Sequence, residues 1–398
     1  MSNRTLLSVS TAIAITYIGI GMVVPVRVLY AQSRGASLAI IGAMGSAFLL
    51  ANFLFQYPSG WSADRWGRKR VMVLGLGVQS VLSLVYLVVT NPIVFVVLRF
   101  VEGMAGAAIL PPARALIADS TPPDRRGQAY GIFSSFFNAG LLVGPALGGL
   151  LATTGYSSAF IASFFFRLAA MVVVILLIEG RMVSTSHALK PSQAVGWRML
   201  FSLPLVGAYI LMLGDSIFLG FDLTLLPLWM QHHLGASVAL VGLAYAVWAV
   251  PNVLMAPIGG RIADRRRRST LILVFGLIQV PIYTAYGLVT SLAIVLALFV
   301  VHGAIYALMQ PSVDSFLAAA SPAEARARVQ SVYTGIGLAS SFVAAIALPL
   351  LYGTNFRLPL FVMAAGFAVS LLVGGTIVRI SERRAFVPVS LGSATAAE

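Results

Sequence analysis

Twelve apolar windows, each long enough to cross about 30 Å of hydrocarbon, follow one another along this 398-residue chain. They fall roughly at 6–30, 38–59, 71–90, 93–118, 128–151, 157–179, 201–230, 238–259, 270–289, 291–318, 330–351 and 357–379. Little polar sequence separates them. The chain is 59% hydrophobic and 10% charged, more apolar surface than a soluble core of this length can hide, so lipid is its solvent. The expectation is an all-α membrane protein of twelve transmembrane helices. The stretch from Arg4 to Val26 has no small-residue cleavage pattern and reads as the first span rather than a signal peptide.

A net charge of +14 would suggest nucleic acid if the basic residues formed a face. They sit instead in short loops between windows, which points to the bilayer as partner and to no nucleic acid. Alternate loops hold Arg65, Arg68, Lys69 and Arg70; Arg125 and Arg126; Arg181, Lys190 and Arg198; Arg265 to Arg268; Arg326 and Arg328. The opposite loops hold little beyond Arg34 and Arg357. This asymmetry predicts that the crowded side and both termini are cytoplasmic, as in a bacterial-type inner membrane. The chain has no cysteine, which excludes disulfides and thiolate chemistry.

The first crowded loop, GWSADRWGRKR at residues 60–70, has a second copy, GRIADRRRRST, at 260–270. Gly60, Ala63, Asp64, Arg65 and Arg68 match Gly260, Ala263, Asp264, Arg265 and Arg268, each 200 positions later. The offset persists at Gly35-Ala36-Ser37, Gly42, Gly103, Pro111 and Thr121-Pro122, the last recurring as Ser321-Pro322. Two six-helix bundles related by an axis along the membrane normal are therefore expected. Their bounds are 1–180 and 200–380, with a polar linker at 181–199 and a tail at 381–398. Gly60 and Gly67 suit a tight turn in the hairpin.

These features resemble the major facilitator superfamily, and the likeness covers nearly the whole chain. GWSADRWGRKR is similar to the family's loop between helices 2 and 3. Arg99, Gly103 and Gly106 resemble its R-x-x-x-G-x-x-G signature in helix 4. Gly140, Gly144, Pro145, Gly148 and Gly149 resemble the G-x-x-x-G-P-x-x-G-G pattern of drug–proton antiporters, which residues 335–349 lack. The chain departs from many drug-efflux relatives in having no acidic residue between Tyr17 and Val26. The resemblance implies that helices 1, 4, 7 and 10 line a central cavity. It also implies that Asp64, Arg65 and Arg68, with Asp264 and Arg265, latch one side.

Ionisable residues inside spans are functional candidates by default: Arg99, Glu102, Arg167, Asp215, Asp222, His302 and Asp314. Arg99 and Glu102, three apart, can meet on one helix face. The offset pairs Glu102 with His302 and Arg114 with Asp314 at matching depths. The first pair is expected to flank the midplane and the second to form a gate. Asp215 and Asp222, two turns apart, are with Glu102 the leading proton carriers. Tyr17, Gln56, Tyr245, Trp248, Asn252, Tyr306 and Gln310 suit an apolar pocket with scattered polar contacts. Trp229 and Tyr30, near span ends, are expected as interface anchors. Gly140, Gly144 and Gly148 suit close helix packing.

No H-E-x-x-H, no G-x-S-x-G elbow with plausible partners and no G-x-x-x-x-G-K-[ST] loop occurs, so neither an enzyme nor an ATP-driven pump is expected. No metal or cofactor is expected either. The chain reads as a monomeric, proton-coupled exporter of a small amphipathic or lipophilic compound working by alternating access. A lipid or lipid-linked flippase and a facilitated importer are the alternatives.

Overall fold

The computed structural model describes residues 3–122, 125–178, 197–321 and 325–385. Of the expected linker, 181–196 lies outside the described residues, as does 386–398 of the tail. Among the described residues there is no strand, and twelve helices are long and apolar enough to cross a membrane. Lipid offers the backbone no hydrogen bonds, so each span satisfies its own. In chain order they are α1 (Asn3–Ser33), α2 (Leu38–Trp66), α3 (Arg68–Val88), α4 (Pro92–Ser120), α5 (Arg126–Leu151), α6 (Tyr156–Leu177), α7 (Leu203–Thr224), α8 (Val238–Arg265), α9 (Arg268–Leu288), α10 (Leu292–Ala320), α11 (Arg326–Thr354) and α12 (Leu358–Ala385).

The repeat is visible in local structure. Ser37 caps α2 by accepting from Ile40 N at 3.3 Å, and Ser237 caps α8 by accepting from Leu240 N at 3.3 Å. Prolines interrupt two spans, because proline has no N–H to donate. α4 is broken between Ala107 and Leu110, ahead of Pro111 and Pro112. α7 stops at Thr224, and Leu226–Leu234, with Pro227 in its first turn, forms a separate short helix. The charged hairpin differs from expectation. α2 runs straight through Gly60, and Gly67 alone, at φ 96°, makes the turn. In the second copy the turn is made by Arg266 and Arg267 in extended conformations.

Within the first half α1 packs on α5 and α6, and within the second α7 packs on α11 and α12. Between halves, α2 meets α11 and α5 meets α8. The closest approaches lie toward the end opposite the charged hairpins. A Cβ on Gly42 would come 2.8 Å from Ala345 O, and one on the equivalent Gly242 would come 2.3 Å from Pro145 O. One apolar core crosses between halves there, joining Val26, Leu29 and Ile41 to Leu228, Trp229 and Leu348. Toward the hairpin end the first half has its own cluster around Val9, Met72, Leu76 and Ile117. The halves are joined at one end and cored separately at the other. Trp229 and Tyr30, expected as interface anchors, are instead 1% and 3% exposed within the joint core. They lie where the halves close on each other, so protein rather than headgroups surrounds them.

The glycines of α5 allow this packing because helices in lipid gain most from close backbone approach. Gly140 faces Ala14 O, Gly144 faces Ile18 O and Gly148 faces Met22 O, all on α1, while Gly149 faces Val238 O on α8. A Cβ on Gly148 would sit 1.9 Å from that backbone oxygen, whereas one on Gly131 meets nothing within 4 Å. Gly148→Val is expected to cost at least about 1–3 kcal/mol from overpacking, seen as a lowered unfolding midpoint in detergent, with Gly131→Ala unchanged on the same helix.

Candidate functional site

The first half is organised around Glu102, a carboxylate on α4 only 3% exposed. Three guanidinium groups reach it. Arg27 Nη2 of α1 donates to Oε1 at 2.9 Å, Arg99 Nη1 of α4 to Oε2 at 3.0 Å, and Arg167 Nη2 of α6 to Oε1 at 3.3 Å. Tyr86 of α3 adds its hydroxyl at 3.4 Å. Arg167 also donates to Gln79 O at 2.8 Å and Ser83 Oγ at 3.1 Å, which ties α6 to α3. The i,i+3 meeting of Arg99 and Glu102 is thus observed. Arg27 escaped the sequence reading; an arginine inside the first apolar window was the available signal.

The second half fills the same frame with neutral groups. Gln279, Tyr286 and His302 stand 200 positions after Gln79, Tyr86 and Glu102, while Phe299 and Phe367 replace Arg99 and Arg167. His302 Nε2 lies 3.2 Å from Gln279 Nε2 and Nδ1 lies 3.0 Å from the Tyr286 hydroxyl. Phe218 and Tyr283 present T-shaped ring contacts to it at 5.2 and 5.0 Å. Glu102 and His302, expected to flank the midplane, each find their polar partners within their own half. Each is buried inside its own bundle, because the polar partners that make burial tolerable come from the same half.

Along α10, Trp248 of α8 stacks obliquely on Tyr306 at 5.7 Å and reaches His302 at 6.0 Å. Gln310 donates to Asp314 at 3.0 Å. Asp215, Gln310 and Tyr333 line one small cleft with Met212 and Met309, and Asp215 Oδ1 is buried there without a hydrogen-bond partner. Tyr245 donates to the backbone oxygen of Asp222 at 3.4 Å. Among the described residues no cation pairs with Asp215, Asp222 or Asp314. Tyr17 lies apart from this group, its ring 4.4 Å from that of Phe137 on α5.

At the hairpin end Arg68 pairs with Asp119 at the end of α4, and Lys69 donates to Ile175 O of α6 at 2.7 Å. Asp64, Asp264 and Arg265 are exposed, and Arg65 lies over the Trp61 ring at 5.3 Å. Arg114 and Asp314 are both exposed and make no ion pair with each other. No cluster of three or more potential metal ligands occurs among the described residues.

A bilayer-spanning pair of repeated six-helix bundles with these glycine and arginine positions can be compared with known proteins. The chain matches the sequence model of the Major Facilitator Superfamily over residues 9–224 and again over 210–393. The chain belongs to that superfamily. It is 28% identical to the quinolone resistance protein NorA of Staphylococcus aureus (strain MSSA476) over 211 residues, 52% of this chain and 54% of that one. That match spans about half the length of the relative. It is 26% identical to multidrug resistance protein 1 of Bacillus subtilis (strain 168) over 350 residues, 84% and 87% of the two chains. In fold it is similar to a bacterial homologue of the human lysosomal transporter Spinster in an inward-facing, unoccupied conformation (TM-score 0.71, 17% identity, 96% of each chain). It is likewise similar to the nucleoside transporter NupG (TM-score 0.76, 12% identity, 94% and 99%). This superfamily member is a multi-pass integral membrane protein whose family and fold are those of small-molecule transporters.

Removing one member of a buried ion cluster leaves its partners charged and unpaired, at about 3–5 kcal/mol. Glu102→Ala is expected to lower the unfolding midpoint severely. Arg27→Gln, which leaves Glu102 two guanidinium partners, lowers it far less; thermal unfolding of both variants in one detergent checks the order.

Proposed function

We propose that this protein exports a small amphipathic or lipophilic compound in exchange for protons, by alternating access, with the hairpin side cytoplasmic. The observation that carries this reading is the unequal contact between halves. They press backbone to backbone at Gly42 and Gly242 and keep a separate core toward the hairpins, which is the form of an inward-facing transporter. The positive hairpins favour the cytoplasm for that side. The names of the two bacterial relatives favour drug-like substrates, and proline and glycine in α5 agree with the exporter pattern.

Proton carriage is assigned to the carboxyls that lack a cation, Asp215 first and then Asp222 and Asp314, since an unpaired charge in a span is costly and a proton removes it. Glu102, held by three arginines, acts as the anchor of the first bundle. Trp248, Tyr306 and Gln310 supply the aromatic and amide wall that a lipophilic substrate needs. Closing the hairpin side would bring Asp64, Arg65, Arg68, Asp264 and Arg265 together as the latch, and Arg114 toward Asp314 as the gate.

A lipid-type substrate remains the second reading because of one feature. An apolar cleft of about 190 Å³ between α2 and α11 is lined by Leu50, Phe53, Leu338 and Phe342. Such a cleft between the halves suits an acyl chain as well as a drug.

Purified protein in liposomes is expected to move protons when substrate is added, and Asp215→Asn is expected to lower that flux at least about tenfold while substrate binding persists. Transport indifferent to a pH gradient and to loss of Asp215, Asp222 and Asp314 refutes coupling. For the gate, Arg114→Asp and Asp314→Arg are each expected to impair transport and their combination to restore it; no recovery in the double variant counts against a direct pair.

A further inference from the structure

The two hairpins carry charge of the same sign and use it differently. In the first, Arg68 is paired with Asp119 and Lys69 caps the end of α6. In the second, the position matching Asp119 is Ala319. Glu382 of α12 is occupied instead with the start of α9, accepting from Arg268 N at 3.2 Å and Ser269 N at 3.1 Å. Those bonds pin the end of α12 against α9 and use the carboxylate on backbone groups.

Around that joint lies a cavity of about 120 Å³ whose walls include Arg267, Arg379 and Arg383, with Ser269, Thr270 and Glu382. The space far exceeds the ~10–15 Å³ needed for one water on the same measure. Arg379 and Arg383 are four apart on one face of α12, and Arg267 faces them from the other helix. Among the described residues none of the three pairs with a carboxylate. Guanidinium groups in such a cluster offer forked donors suited to a phosphate. The cavity is at the hairpin-side ends of both helices, where headgroups lie. Deeper in the membrane the same helices expose apolar side chains, Val274 and Leu277 on α9 and Leu372 and Val373 on α12.

We propose that the α9–α12 cleft binds the phosphate of an anionic phospholipid headgroup, with the acyl chains lying along the apolar outer faces of the two helices. A solvated positive face alone would need no cavity, and in the first hairpin Arg68 and Lys69 meet protein groups. The lipid supplies the anionic partner that Arg267, Arg379 and Arg383 lack, and it braces α12 against α9 on the side where the halves part.

The test uses the purified full chain in a mild detergent, with thermal unfolding followed after adding phosphatidylglycerol, phosphatidylcholine or inorganic phosphate at equal phosphorus. Phosphatidylglycerol is expected to raise the midpoint by several degrees and the other two to leave it nearly unchanged. The Arg379→Gln, Arg383→Gln double variant should lose more than half of that rise while keeping its midpoint in phosphatidylcholine. An Arg326→Gln, Arg328→Gln variant, altered at exposed arginines at the start of α11, should keep the rise. Should the first pair yield no folded protein, the count of phosphatidylglycerol retained by Arg267→Gln in native mass spectrometry decides the question, fewer than in the parent being the supporting result and an equal number overturning the site. An undiminished rise in the Arg379/Arg383 variant, an equal loss in the Arg326/Arg328 variant, or an equal rise with inorganic phosphate overturns the proposal.

Discussion

Two apolar helices in a bilayer gain little by exchanging lipid for each other, so what joins them must be close contact or hydrogen bonding. Here the contact is made by backbones. Gly140, Gly144 and Gly148 let α5 lie on α1, and Gly149 on the next face lets α5 reach α8 of the other half. Gly42 and Gly242, equivalent by the repeat, hold the halves together from opposite sides of the pseudo-axis. The same small surfaces close the end opposite the charged hairpins.

Rigidity has a different source in each half. In the first, one carboxylate gathers arginines from α1, α4 and α6, and a charge cluster so buried tolerates little rearrangement. In the second, the equivalent frame is a histidine among tyrosines, phenylalanine and glutamine. The anchored charge therefore belongs to one half, while the carboxyls without cations, Asp215, Asp222 and Asp314, belong to the other. A duplicated fold thus places cation-paired charge and carboxyls without a cation in different bundles.

The hairpins repeat this divergence at the surface. Their sequences match at five positions, yet Arg68 has an acidic partner within its own bundle while Arg267, with Arg379 and Arg383, borders an open cleft. Gly67 turns the first hairpin through a positive φ, whereas extended arginines turn the second.

Hydropathy and the constant offset made twelve spans, two bundles and the Arg99–Glu102 pair legible in the sequence, because each depends on residues near one another in the chain. The stripe Gly140, Gly144 and Gly148 was equally legible as a packing face. Arg27 joining Glu102 across 75 positions, the burial of Glu102 and His302 among partners of their own halves, and Trp229 entering the core were not. Periodicity tells how deep a residue lies and which neighbours share its helix face, but not which other helix that face meets. That choice is made by backbone approach between segments far apart in sequence, so the sequence alone determined the spans and their symmetry, and the tertiary structure decided which charges are paired, which stand without a partner, and at which end the halves close.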